Sequence, residues 1–234
     1  MLLVADDDIA GTIGGGRLEF DAIASARAIL AGVQTQPWTI VQLGPAIGQC
    51  CGGRVTLGFD RPGDAEIADM VRDATGCAAS RPEVLIYGAG HVGRALARAL
   101  GPLPLRVKLI DGRQDELDRA MAPEADLIRS DAPAGLAESA PENAAHVVMT
   151  HSHALDSVIA GAVLERGRFR YLGIIGSRTK RNSFRRAFRE IGIAPEMIAR
   201  VVCPIGGSRV KDKRPEVIAA LAAAEIATAL LAGD

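Results

Sequence analysis

Residues 48-GQCCGG-53 set Cys50 and Cys51 side by side behind Gln49, between glycines, in a chain with only 4 cysteines. Thiols can pack silently as small hydrophobes, join in a disulfide, or act as soft ligands. Adjacent cysteines close only a strained ring, so a structural disulfide is a poor reading. A glycine-flanked turn is seldom core, which favours a soft-ligand role or sulfur chemistry. Arg54 adds local positive charge that favours thiolate. Cys50, Cys51, Cys77 and Cys203 match neither a CxxC pair nor zinc-finger spacing. Cys77 reads as incidental, and Cys203 in 203-CPIGG-207 as a buried small hydrophobe.

Three further stretches could do chemistry. The hexapeptide 88-GAGHVG-93 matches G-x-G-x-x-G after an apolar run. Gly88 would allow a tight turn, Gly90 the approach of a pyrophosphate, and Gly93 close packing of helix on strand. Asp111 follows where an acid that binds a ribose would sit. Such a loop holds phosphate-bearing molecules of many kinds, or none. His151 and His153 lie in 150-THSHALD-156, where they could bind a metal, move a proton or bond a heterocycle. A metal would need further ligands; the plainer alternative is that Thr150, Ser152 and His153 cap a helix. In 176-GSRTKRNSFRRAFRE-190, Ser177 and Arg178 form a local anion site at a helix start. The later arginines make a solvated face or a partner-docking surface.

The elements that must position these groups fall in two parts. A helix is expected over 17–30 after the glycines 14-GGG-16, strands over 38–44 and 54–60, and a helix over 65–74. Thr75 to Pro82, small and polar, reads as the boundary between domains 1–76 and 82–234. Beyond it, strands at 83–88, 105–111, 144–150 and 171–176 alternate with helices at 91–100, 154–167 and 178–192. Apolar strands alternating with helices imply a parallel sheet covered on both faces. The fold class is α/β: a small N-terminal α/β lobe and a C-terminal Rossmann-like parallel-sheet domain. A closing helix over 215–231 starts with Pro215 at its first position.

Composition narrows the partners. Aromatics are 3% of the chain and the formal net charge is −1, so nucleic acid is not an expected partner. The longest apolar run, near Val217–Leu231, carries Glu225 in its middle and reads as a packed helix, not a membrane span. Met1-Leu2-Leu3-Val4 runs straight into Asp6, Asp7 and Asp8, which is no secretory leader. A reducing cytoplasmic setting is expected for the thiols.

Taken together and in order, 11-GTIGGGRLE-19, 48-GQCCGGRV-55, 84-VLIYGAGHVGRALA-97, 147-VVMTHSHALD-156, 171-YLGIIGSRTKR-181, 203-CPIG-206 and 215-PEVIAALAAAEI-226 resemble the xanthine dehydrogenase accessory protein family, XdhC/CoxI. The resemblance implies a carrier of molybdenum cofactor (molybdopterin), not a dehydrogenase. Such a carrier protects the cofactor while a cysteine desulfurase supplies its sulfido ligand, then delivers it to xanthine dehydrogenase, at the molybdenum-binding subunit. It implies Cys50 and Cys51 at the metal end, Gln49 among the cofactor-binding residues, and His151, His153, Ser177 and Arg178 lining the cleft between the lobes. The phosphate would lie at the loop of Gly88, Gly90 and Gly93 or at the Gly176-Ser177-Arg178 turn, with Asp111 also among the cofactor-binding residues. A homo-oligomer is expected. Family members carry a further strand and a Gly-Ser-x-Pro-Arg-like motif before the segment that starts here at Met1, so the N-terminal lobe is expected to lack its first strand.

Two other readings differ in class. A nucleotide-dependent oxidoreductase would use the Rossmann loop for a nicotinamide nucleotide, although no catalytic set at dehydrogenase spacing accompanies it. A docking scaffold would use the basic helix, with Arg185 and Arg186, to recruit the desulfurase.

Overall fold

The computed structural model describes residues 1–33, 36–44, 52–207 and 209–232. The chain divides into two compact units, Met1–Val71 and Arg72–Asp234.

In the first unit, β1 (Leu2–Val4) and β2 (Ile9–Gly11) pair antiparallel around the three aspartates. The glycine knot then opens α1 (Gly16–Leu30), as its 3.6-residue apolar spacing predicts. Gly14, Gly15 and Gly16 all take positive φ, a region closed to most side chains. Glu19, one turn inside the helix, gathers this loop. Its carboxylate accepts from Thr12 Oγ1 at 2.6 Å and from the N–H groups of Ile13 and Gly15 at 2.9 and 3.1 Å. These bonds hold the Glu19 carboxyl below its ordinary pKa, the Thr12 hydroxyl contributing most. Strands β3 (Trp38–Leu43) and β4 (Gly53–Gly58) form the expected antiparallel pair. The turn holding Gln49, Cys50 and Cys51 lies outside the described residues.

Helix α2 (Asp64–Ser80) runs on through most of the stretch read from sequence as a linker. Ala78 and Ala79 are strong helix formers, and Pro82 disfavours helical backbone at the residue before it. The division between the two units falls within this helix.

The second unit is built on six parallel strands: β5 (Glu83–Tyr87), β6 (Arg106–Asp111), β7 (Ala125–Arg129), β8 (Ala145–Val148), β9 (Tyr171–Ile174) and β10 (Val201–Val202). Their spatial order is β10-β9-β8-β5-β6-β7. Numbered within this unit, that is the 3-2-1-4-5-6 order of dinucleotide-binding sheets, with its switch point between β5 and β8. Side chains alternate across each strand. Val84 and Ile86 enter one core with α3 (His91–Leu100) and α9 (Pro215–Leu231). Leu85 and Tyr87 enter a second core with α5 (Pro133–Ser139), α6 (His153–Arg166) and α7 (Arg178–Glu190). Burial on both faces explains the continuous apolar runs. Short α4 (Gln114–Asp118) and α8 (Pro195–Ala199) complete the unit. In α9 the charge noted in sequence is used: Glu225 accepts from the Gly206 N–H at 2.7 Å. Among the described residues, no helix is long and apolar enough to cross a membrane.

Candidate functional site

The groups of interest gather at the C-terminal ends of β5, β6, β8 and β9, where open α/β sheets place ligands. The three loop glycines do different jobs. Gly88 has φ 118°, and a Cβ there would lie 2.4 Å from the Met149 carbonyl oxygen. Only glycine lets the loops after β5 and β8 touch backbone to backbone. A Cβ on Gly93 would fall 1.9 Å from the Gly88 carbonyl oxygen, so this residue seats α3 on the turn. A Cβ on Gly90 would meet nothing within 4 Å. That open face, at the start of a helix with no acid in its first turn, leaves room for an anion to approach the loop backbone.

Charged side chains clamp the loop from below. The Ala89 N–H donates to Asp111 Oδ2 at 2.7 Å, and its carbonyl accepts from Arg94 at 2.6 Å. Arg94 pairs in turn with Glu116, which also accepts from Arg119 at 3.1 Å. Asp111, buried at the end of β6, is forked by Arg113. Burial opposes ionisation of Asp111, yet Arg113 and the two N–H donors outweigh it and hold the carboxyl at about 2. Asp111 therefore positions the loop, and its acceptors are engaged.

After β8, Ser152 caps α6 by accepting from the Leu155 N–H at 3.3 Å. His151 is exposed, and His153, also exposed, stands edge-on to the Phe184 ring at 4.4 Å between centroids. Capping and ligand-facing roles are thus compatible in this stretch, because Ser152 does the capping. Among the described residues, no group of three or more His, Cys, Asp or Glu side chains could hold a metal.

Asp156 is the residue that the sequence reading passed over. It is 1% exposed and accepts at Oδ1 from the Thr150 N–H at 2.9 Å, with the Thr150 hydroxyl 2.8 Å away. Burial raises its pKa, against the bonds from Thr150 and the charges of Lys180 and His153. The available signal was an acid in the first turn of a helix whose neighbours Ile159, Ala160 and Val163 are all core residues.

After β9, Ser177 caps α7 by accepting from the Lys180 N–H at 3.3 Å. Arg178 opens that helix; its side chain lies outside the described set. A Cβ on neighbouring Gly176 would lie 3.3 Å from Cys203 Sγ. Cys203 is a free, buried thiol, as expected; burial pushes its pKa up against the pull of Arg181 and Lys180.

A doubly wound sheet with a glycine loop, a capped histidine loop and a Ser-Arg turn at one end defines a Rossmann-type binding domain. Residues 84–226, more than half of the chain, match the XdhC Rossmann domain, and residues 1–43 match the XdhC and CoxI family. The chain belongs to the XdhC and CoxI family. It is 28% identical over 235 residues to the uncharacterized Escherichia coli K12 protein YqeB, covering 97% of this chain and 39% of that relative's length. The fold is similar to that of a crystal structure of a xanthine dehydrogenase from Bacillus halodurans. That likeness has TM-score 0.69 at 18% identity, over 100% of this chain and 86% of the other.

Proposed function

We propose that this protein is a maturation factor for a molybdenum hydroxylase. It takes molybdenum cofactor as cargo, keeps it while a cysteine desulfurase supplies the sulfido ligand, and passes it to xanthine dehydrogenase or a related enzyme. The observation that carries this reading is the family match, which falls on both units in order along the chain. The site chemistry supports it. The cargo's phosphate suits the open face of Gly90 at the start of α3. His151, His153 and the Ser177-Arg178 turn, at the same end of the sheet, offer hydrogen-bonding partners to a heterocycle. Cys50 and Cys51 supply the soft contact that thiophilic molybdenum prefers, and the Gln49 amide offers hydrogen bonds to the cofactor. In this role the protein is an accessory factor of the cytoplasm that holds and hands over, not an enzyme.

Purified protein mixed with molybdopterin cofactor and passed through gel filtration is expected to retain molybdenum in stoichiometric amount. Protein that emerges free of molybdenum overturns the carrier role. Retention undiminished in a Cys50→Ala/Cys51→Ala double variant sinks the thiol contact alone. The strand order favours a second reading, a nicotinamide-dependent oxidoreductase. The engagement of Asp111 speaks against it.

A further inference from the structure

In dinucleotide sites the acid at the end of the second strand accepts hydrogen bonds from the ribose hydroxyls next to the pyrophosphate loop. Asp111 stands at that place, but its capacity is spent. A carboxylate offers about four lone-pair positions. At Asp111, Oδ1 accepts from the Arg113 N–H and Nε, both at 3.0 Å, while Oδ2 accepts from the Ala89 N–H at 2.7 Å and Arg113 Nη2 at 2.9 Å. Two of these bonds come from backbone, and the other two are the parallel fork of one guanidinium, a strong arrangement. The next acid along, Glu116, is likewise committed to Arg94 and Arg119. Asp111 and Glu116 are thus both matched by arginines, and neither is left to receive a diol.

We propose that Arg113 is a specificity-determining residue: by occupying Asp111 it closes the ribose position, so that the glycine loop takes a phosphate ester that carries no nucleoside there. This deepens the carrier role and rests on it, since a carrier on a Rossmann frame must refuse the abundant dinucleotides that the frame otherwise suits. Arg113 is well placed to act this way. Its side chain is 39% exposed against 5% for Asp111, so it lies between the acid and solvent.

The test uses ADP and 2′-deoxy-ADP, which differ by one hydroxyl of the diol, in calorimetric titrations of the full chain. The wild-type protein, with its ribose position closed, is expected to bind both weakly, through the phosphates alone, and with equal affinity. In Arg113→Ala the freed carboxylate is expected to favour ADP by about tenfold, the value of one charge-assisted hydrogen bond. The preference is expected to vanish again in Arg113→Ala/Asp111→Asn. The ratio of affinities removes the general effect of a lost cation on phosphate binding. Arg113→Lys keeps the charge without the fork, and is expected to show a part of the same preference should the alanine variant fold poorly. A wild-type protein that already prefers ADP tenfold, variants whose ratio stays at one, or no nucleotide binding by any of them overturns the proposal. Molybdenum retention measured on the same preparations reports on the carrier role separately.

Discussion

His146 and Asp156 are fully buried titratable side chains in the second unit, and each constrains stability differently. His146 lies 0% exposed on β8, its Nδ1 3.1 Å from the Tyr87 hydroxyl. Burial, with a smaller push from the Arg166 charge, lowers its pKa from 6.5 to about 4. The folded protein keeps this ring neutral while the unfolded chain takes up a proton below pH 6.5. The sign follows: the stability is intact above pH 6.5 and is lost as the pH falls towards 4, by about 3 kcal/mol in all. Urea midpoints measured across that window should show a steeper acid loss in the wild type than in His146→Gln; parallel curves would refute it. At Asp156, both contacts to Thr150 fall on Oδ1. Asp156→Asn keeps that acceptor, so its denaturation midpoint is expected close to wild type. Asp156→Ala strands the Thr150 N–H and should cost about 1–3 kcal/mol.

Among the elements, the turn from β5 into α3 separates packing from binding within one hexapeptide. Gly93→Ala would put a Cβ 1.9 Å from the Gly88 carbonyl oxygen, and α3 must lift off the turn to relieve it. A fall in melting temperature of several degrees or more is expected. Gly90→Ala meets no neighbour and sits at φ −67°, so its melting temperature is expected to hold while molybdenum retention falls. If the two variants melt alike, that division of labour is wrong. The motif was legible in sequence because it combines a strand, three glycines and a helix. Edge strand β7 was not, since its alternation is poor and Leu127 remains 45% exposed. Helices α4, α5 and α8 were missed for a related reason: pieces of 5 to 7 residues are too short to display a helical period.

On the scale of the whole molecule, the buried apolar side chains among the described residues lie between Val84 and Ile226, except Leu18 and Ala22. The second unit therefore owns nearly all of the core, on both faces of its sheet. Expressed alone, residues 82–234 are expected to melt cooperatively, whereas residues 1–71, with Leu18 and Ala22 as their buried apolar side chains among the described residues, are not. Far-UV circular dichroism of the two fragments tests this; a cooperative melt of the smaller one would count against it. The sequence by itself determined the α/β class, the alternation of strands and helices, the glycine loop and the family. These rest on local spacing, which the covalent chain carries. Only the tertiary structure decided that Asp111 is spent on Arg113 and Ala89, and that Asp156 anchors Thr150. Hydrogen-bond capacity is shared among neighbours in space, and residue type alone does not record which of them has claimed it.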